Sequence, residues 1–222
     1  MIRTILIVLA LTCLTSCKSV VNNLKQEPLR IDNSKNLYAF IGRKISVTEF
    51  DPNNPIRIKL KIDSITKDTI QYQSYVMDSG FRCKYLIEKN VFNKIETDTI
   101  EFKAYDHYGR PGFEKYDQVL LYLSKDENGN YYHQKYQFES LFLNSKGQYY
   151  SYPKFLGNSY LPIANELETF EIEFPKSEKY NSNNVGVRGG YYEIDGQFAY
   201  PVKGMFLEEI IEFRLRTTFK HL

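Results

Sequence analysis

The chain has 222 residues, and 29 Lys and Arg residues nearly balance 27 Asp and Glu residues, which gives a net charge of +2. A protein that binds nucleic acid usually carries a strong basic excess or a basic stripe on one face. The charge balance therefore argues against nucleic acid as a partner.

The first element is a short apolar segment with the features of an export signal. Arg3 supplies a positive charge, and the apolar run at 5–11 is too short to span a bilayer. The sequence LTSC at 14–17 follows and matches a lipobox. The segment resembles those of bacterial lipoproteins. This resemblance implies that residues 1–16 are a signal peptide and that Cys17 carries a lipid; a plain secretory signal cut near residue 16 is the alternative.

The residues after the lipobox are polar up to about Lys35 and show no sustained apolar period. We predict that residues 17–35 form a lipidated tether, which as a flexible coil would hold the body roughly 20 to 25 Å from the lipid. No linker rich in Gly, Ser or Pro interrupts the rest of the chain. Residues 36–222 are therefore expected to form a single β-rich domain, with a candidate sub-boundary near 140–147.

The three cysteines leave no internal disulfide. Cys13 lies in the signal and Cys17 takes the lipid, so only Cys83 stays in the mature body. Cys83 lies in an apolar, strand-like run with no partner base at a recognisable spacing. We expect it in the core rather than as a nucleophile.

The body is predicted to be mainly β, because short runs of Val, Ile, Phe, Tyr and Thr alternate with turn residues. The run at 56–62 alternates apolar and basic residues, which predicts an amphipathic strand with 41–50 as its neighbour. Asn128-Gly129 predicts a hairpin with a two-residue loop, which would pair Leu121 with Tyr136.

The C-terminal end of the chain has a mixed pattern. Residues 205–213 fit a short helix with acidic residues in its first turn, whereas residues 211–219 also alternate like a strand. We predict a short helix that continues into a terminal strand. The predicted fold is an antiparallel sheet or a small OB-like Greek-key barrel, with a β-rich C-terminal extension and one short helix.

Two further resemblances concern the body. Residues 81–125 contain two strand-like runs, a glycine-bearing loop and a third run, and this order resembles netrin-like OB barrels. The resemblance implies a small Greek-key barrel, but the cysteines of that family are missing, so no inhibitory activity is carried over. The segments at 105–109 and 204–209 are similar to lipoproteins of unassigned function from Bacteroidota-type bacteria, which implies no activity.

Tyrosines are the first candidates for a binding site. The chain has 19 Tyr and 15 Phe, and adjacent tyrosines on a strand point to opposite faces. One tyrosine of each pair should therefore be exposed, unless the sheet is covered on both faces. Tyr149, Tyr150 and Tyr152 precede a proline and form the first candidate patch. The alternative is that these tyrosines stabilise the sheet through cross-strand pairs.

A second candidate is the region around His107. Asp106, His107 and His133 could form a metal or base site, although they show no metal-ligand spacing, and adjacent strand residues point apart. Arg110 lies in a glycine-bearing loop without a Walker lysine, where it could contact an acidic ligand. We therefore assign no catalytic residue, metal ligand or cofactor.

These observations favour a lipid-anchored envelope protein that acts as a non-catalytic binding or accessory module for a protein or glycan partner. An envelope hydrolase or metal-dependent enzyme that uses the His107 region is the alternative. The residues after Cys17 lack the acidic run that resembles surface-export signals. We therefore expect an outer-membrane protein that faces the periplasm.

Overall fold

The computed structural model describes residues 27–154, 159–183 and 190–222; the predicted signal peptide and Cys17 lie outside these ranges. The strands of the first half are β1 (Tyr38–Phe50), β2 (Arg57–Ile62), β3 (Thr69–Ser74), β4 (Ser79–Phe92), β5 (Thr99–Asp106), β6 (Gln118–Lys125) and β7 (Tyr131–Ser140). The later strands are β8 (Phe142–Leu143), β9 (Tyr149–Ser151), β10 (Phe170–Glu171), β11 (Tyr180–Asn181), β12 (Tyr192–Asp195), β13 (Phe198–Pro201) and β14 (Lys203–Phe206). The helices are a 3-10 turn (Gly112–Lys115), α1 (Leu161–Asn165) and α2 (Leu207–Arg216).

Five strands form a closed barrel in the order β1-β4-β5-β7-β6, and β6 closes the ring by pairing with β1. All neighbours in the ring are antiparallel except β5 and β7, which are parallel. A five-stranded barrel with one parallel closure is the architecture of the OB type. The predicted mainly β fold is confirmed.

Two apolar cores lie on the two sides of the barrel wall, and β6 contributes to both. Leu121 and Leu123 point into the barrel and belong to the inner core. Leu120 and Tyr122 point outward and belong to the outer core, which the barrel shares with the C-terminal part of the chain. Each strand residue alternates between faces, so a strand covered on both sides is apolar throughout. Cys83 lies in the inner core, as predicted, and burial raises the pKa of its thiol to about 12.

The C-terminal residues form two small sheets and the helix α2. One sheet has the order β10-β14-β9-β8 and the other has the order β11-β13-β12. Helix α2 packs its apolar face, which includes Ile210 and Phe213, into the same outer core as Tyr122. The prediction of a terminal strand was wrong: α2 runs to Arg216, and turns follow it, because its buried residues recur at helical spacing.

The hairpin at Asn128-Gly129 forms, but with a longer loop than predicted. The flanking strands end at Lys125 and Tyr131, and Leu121 pairs with Phe138. The Asp126 carboxylate accepts hydrogen bonds from the backbone N–H groups of residues 128 and 130 at 3.0 and 2.7 Å. This Asx turn closes a five-residue loop, which shifts the register.

The amphipathic strand at 57–62 forms, but its predicted neighbour was wrong. Strand β2 pairs with β3 in a separate two-stranded sheet, whereas β1 pairs with β4 and β6. The hairpin is therefore an insertion between two barrel strands. Among the described residues, no helix is long and apolar enough to cross a membrane.

The second half of the predicted tether is held on the barrel. Asn93 donates from its amide nitrogen to the carbonyls of Asp32, Lys35 and Leu37 at 3.0, 3.3 and 2.8 Å. Its side-chain oxygen accepts from the backbone N–H of Asp32 at 2.8 Å. Residues 27–35 are therefore not a free coil, and the chain enters the barrel at the end where β1 starts and β4 finishes.

The shared outer core predicts that the barrel and the C-terminal part unfold together. Phe213 is 1% exposed, so Phe213→Ala is expected to cost about 3 to 5 kcal/mol of unfolding free energy in urea. The control Ile194→Ala, at a site 56% exposed, should stay within about 0.5 kcal/mol. Two separate transitions in the Phe213 variant would contradict a shared core.

Candidate binding cleft

A cleft of about 930 Å³ lies where the barrel meets the C-terminal part. Its barrel side is formed by the end of β5, the 3-10 turn and β7, and its other side by residues 177–180 and the end of α2. Clefts of this size at the boundary between two structural layers are common ligand sites. We refer to this cavity as the cleft.

Lys154 is a buried cation in the wall of the cleft. Its side chain lies beside Phe138, with Nζ 4.2 Å from the ring centroid, and only 5% of the residue is exposed. Nζ donates to the Phe138 carbonyl at 3.4 Å and forms no ion pair with a described residue. Burial lowers the pKa of Lys154 to about 8. An ammonium has three donors, and among the described residues only the Phe138 carbonyl accepts a hydrogen bond from it.

Glu178 lies in the cleft wall and is held by three hydroxyl groups. The Tyr116 hydroxyl donates to it at 3.3 Å, the Ser140 hydroxyl at 3.2 Å, and the Tyr152 hydroxyl also donates to it. Burial and the adjacent carboxylate raise the pKa of Tyr116 to about 12. These donors fix the carboxylate in one position and satisfy much of its accepting capacity.

A buried ion pair joins the cleft floor to the barrel. Arg214 of α2 donates from Nε to a carboxylate oxygen of Glu139 in β7 at 2.6 Å, and its side chain also reaches Gln137 and Thr218 at 3.3 and 3.1 Å. Glu139 is fully buried, and its Oε2 has no partner among the described residues. Burial alone would lower the pKa of Arg214, but the Glu139 carboxylate raises it.

The cleft has an excess of positive charge that the described residues do not neutralise. Arg110 forms a two-pronged contact with Glu114 at 2.6 and 2.7 Å, and Arg214 is paired with Glu139. Three lining lysines, in contrast, form no ion pair within the described part of the chain: Lys115, Lys154 and Lys179. An anionic ligand would therefore be attracted to the cleft.

Aromatic rings form one rim of the cleft. Tyr108 and Tyr136 lie with ring centroids 5.9 Å apart, and they are 85% and 43% exposed. Tyr116 and Phe138 continue the aromatic lining inward, with centroids 5.9 Å apart. Rigid rings with a polar tip offer contact area to a ligand at a low entropic cost.

The histidines do not converge on one site. His133 lines the cleft, where its Nε2 contacts the Gln137 carbonyl at 2.8 Å, and burial lowers its pKa. The His107 ring is half exposed and lies 3.4 Å from Asp78, whereas Asp106 accepts from the backbone N–H of Tyr108. Within the described ranges, no group of His, Cys, Asp and Glu side chains could hold a metal ion.

The predicted tyrosine patch is not an exposed surface. Tyr150 and Tyr152 are 8% and 0% exposed and belong to the outer core, so the expectation of a patch there was wrong. Tyr149 is half buried, and its hydroxyl accepts from Gln118 at 2.9 Å. The segment is covered by Phe174 and Phe170, which pack on these rings. Tyr152 therefore supports the cleft from behind: its hydroxyl donates to Glu178, and its ring centroid lies 5.8 Å from Nζ of Lys154.

The other predicted residues lie near the cleft. Arg110, which was predicted as a contact for an acidic ligand, lines the cleft. Its guanidinium already donates two hydrogen bonds to the Glu114 carboxylate. His107 is next to the rim residue Tyr108, with ring centroids 5.4 Å apart, and is not a lining residue itself.

The sequence analysis missed Lys154, Glu178 and Arg214. Lys154 and Arg214 have apolar neighbours in the sequence, and Glu178 lies in the polar run at 176–179; both patterns also occur at exposed positions. Their burial depends on contacts between segments that are distant in sequence, such as Glu139 with Arg214. The one available signal was a lysine directly after the aromatic run at 149–153.

Comparison with known proteins found no match to a family model, to a curated protein or to a solved structure.

The lowered pKa of Lys154 predicts a specific pH dependence of stability. Between pH 8 and 10.5 the folded lysine is neutral while the unfolded lysine is still charged, so raising the pH favours the folded state. Relative to Lys154→Met, the native protein should gain roughly 2 to 3 kcal/mol of unfolding free energy from pH 7 to pH 10. Taking the difference between the two proteins cancels the tyrosines, which titrate in the same range. Parallel curves for the two proteins in urea would contradict a buried lysine.

Proposed function

We propose that this protein is a lipid-anchored envelope protein that binds an acidic glycan in the cleft without catalysis. The observation that carries the proposal is Lys154, a cation that is 5% exposed, lines the cleft and has no carboxylate partner among the described residues. A buried charge is costly unless it is paired. A carboxylate of the ligand would supply the missing partner.

The charge of the lining favours an anionic ligand. Lys115 and Lys179 add positive charge near Lys154, whereas the acidic groups are already engaged: Glu178 by three hydroxyl donors and Asp106 by a backbone N–H. A carboxylate in the cleft would accept charge-assisted hydrogen bonds from Lys154, which are about twice as strong as neutral ones.

The shape and aromatic content favour a glycan over an extended peptide. Tyr108 and Tyr136 present ring faces at the rim, and a sugar ring can stack on such a face through its C–H groups. Gln137 and Glu178 lie deeper and can bond to hydroxyl groups of a sugar. The cleft volume of about 930 Å³ suits a ligand of a few sugar rings.

The anchor and the location complete the proposal. Lipid at Cys17 would keep the body close to the outer membrane, facing the periplasm. A site for acidic glycans in that position would hold an envelope or imported polysaccharide near the membrane. The proposal requires no cofactor and no cleavage of the ligand.

Titration calorimetry with oligogalacturonate tests the ligand class. The acidic oligosaccharide should bind, and a neutral cello-oligosaccharide of equal length should bind at least tenfold more weakly. Lys154→Met should weaken binding of the acidic ligand about 10- to 100-fold, since a hydrogen bond to a charged group contributes about 1.5 to 3 kcal/mol. Tyr108→Ala should weaken both ligands.

The matched control is Tyr75→Ala, which removes an exposed tyrosine outside the lining of the cleft. It should bind like the native protein. Equal binding of both oligosaccharides, or tighter binding of polyglutamate than of oligogalacturonate, would contradict the proposal. Release of shorter sugars during incubation would instead support an enzyme.

Metabolic labelling with an alkyne fatty acid tests the anchor. Cys17→Ala should abolish incorporation of the label, while Cys13→Ala should retain it because residue 13 lies before the expected cleavage site. Protease added to intact cells should leave the labelled protein uncut until the outer membrane is opened. Labelling of the Cys17 variant, or digestion on intact cells, would contradict the anchor or the periplasmic location, respectively.

A further inference from the structure

The β2–β3 hairpin has an apolar surface that the described residues leave exposed. Ile58, Leu60 and Ile62 are 55%, 69% and 66% exposed, and Ile65 in the turn is 88% exposed. The hairpin forms a sheet of two strands and shares neither apolar core. Exposed apolar side chains grouped on one element usually mark a site of interaction.

We propose that the free edge of β2 binds an extended segment of a partner protein in which acidic and apolar residues alternate. Strand addition of this kind uses backbone hydrogen bonds for affinity and alternating side chains for specificity. This inference is independent of the cleft, because no residue of β2 or β3 lines it.

The hairpin would be more stable with a third strand. An isolated two-stranded hairpin is only marginally stable in water, and three or more strands with an apolar face are usually needed. Strand β2 is paired on one side, by β3 from Arg57 opposite Ser74 to Ile62 opposite Thr69. Its other edge has no strand partner within the described residues. A third strand there would complete a small sheet.

Hydrogen bonds fix the backbone of the hairpin at its base and at its tip. At its base, Asn53 donates to the Val76 carbonyl at 2.9 Å and accepts from the Val76 N–H at 2.7 Å. At its tip, the Asp63 carboxylate accepts from the N–H groups of residues 65 and 66, which lowers its pKa. A preformed edge reduces the entropy that a binding partner would have to overcome.

The side chains of β2 define the partner. Its apolar residues share one face, whereas Lys59 and Lys61 lie on the other face, opposite Tyr72 and Ile70. Neither lysine forms an ion pair with a described residue. An added strand would therefore match if it placed apolar residues on the first face and carboxylates beside the lysines. Each such cross-strand pair contributes roughly 0.2 to 1 kcal/mol.

The lysines and the position of the hairpin disfavour two other partners, a second copy of this chain and a membrane. A second copy of β2 would place lysines beside lysines, and charged edge residues oppose such self-pairing. The tether joins the barrel at the start of the 13-residue strand β1, whereas the hairpin follows the end of that strand. The hairpin therefore lies at the opposite end of β1 from the tether, which disfavours a membrane as its partner. The partner is thus a different protein segment with acidic character.

An acetylated peptide of sequence EVEVEVE tests the inference. Titrated into the labelled protein, it should shift the amide resonances of β2 and leave those of the cleft unchanged. The charge-reversed double variant Lys59→Glu with Lys61→Glu should weaken binding at least tenfold. The control Lys146→Glu with Lys220→Glu makes the same charge change at two exposed sites elsewhere and should bind like the native protein.

Three results would overturn the inference. The first is equal binding of the peptide EEEEVVV, which has the same composition without the alternation. The second is absence of β2 shifts at millimolar peptide. The third is an alternative occupant, shown either by a dimer that Leu60→Asp dissociates or by binding to anionic phosphatidylglycerol vesicles that Leu60→Asp abolishes. These results leave the proposal for the cleft untouched, since its test uses a different ligand and different residues.

Discussion

The contact between Arg214 and Glu139 joins the two parts of the molecule on which the cleft depends. Arg214 lies near the end of α2 and Glu139 lies in β7, and their side chains meet at 2.6 Å inside the outer core. A buried ion pair contributes little net stability, but removal of one partner leaves an uncompensated charge and costs about 3 to 5 kcal/mol. The pair therefore penalises other placements of α2 on the barrel. Its position sets the floor of the cleft.

This constraint also explains the state of Lys154. The lysine lies near both members of the pair: Glu139 favours its charged form and Arg214 opposes it, while burial lowers the pKa to about 8. At neutral pH the cleft thus contains a charged lysine near two carboxylates that are already engaged, Glu139 by Arg214 and Glu178 by three hydroxyl groups. A bound carboxylate would relieve this imbalance, and the site would exert its attraction most strongly below pH 8.

The sequence predicted the positions of the strands better than it predicted which strands pair. Alternation identified the amphipathic strand β2, and the unbroken apolar run of β6 is explained by cores on both of its faces. Strand pairing depends on contacts that local sequence patterns do not contain. The predictions of the neighbour of β2, the loop at Asp126 and the end of α2 were therefore wrong. The cleft was largely hidden for the same reason. The tyrosine content predicted an exposed binding surface, but Tyr152 is buried and its hydroxyl donates to Glu178.

The most direct test of the account is the pKa of Lys154 with and without ligand, measured by NMR on protein labelled at the lysine side chains. Free Lys154 should titrate near pH 8. Saturation with oligogalacturonate should raise this value by at least one pH unit, because a carboxylate beside the ammonium favours its charged form. A lysine that titrates near 10.5 in the free protein would contradict its burial. An unchanged pKa in the saturated complex would contradict the proposal that Lys154 holds the acidic group.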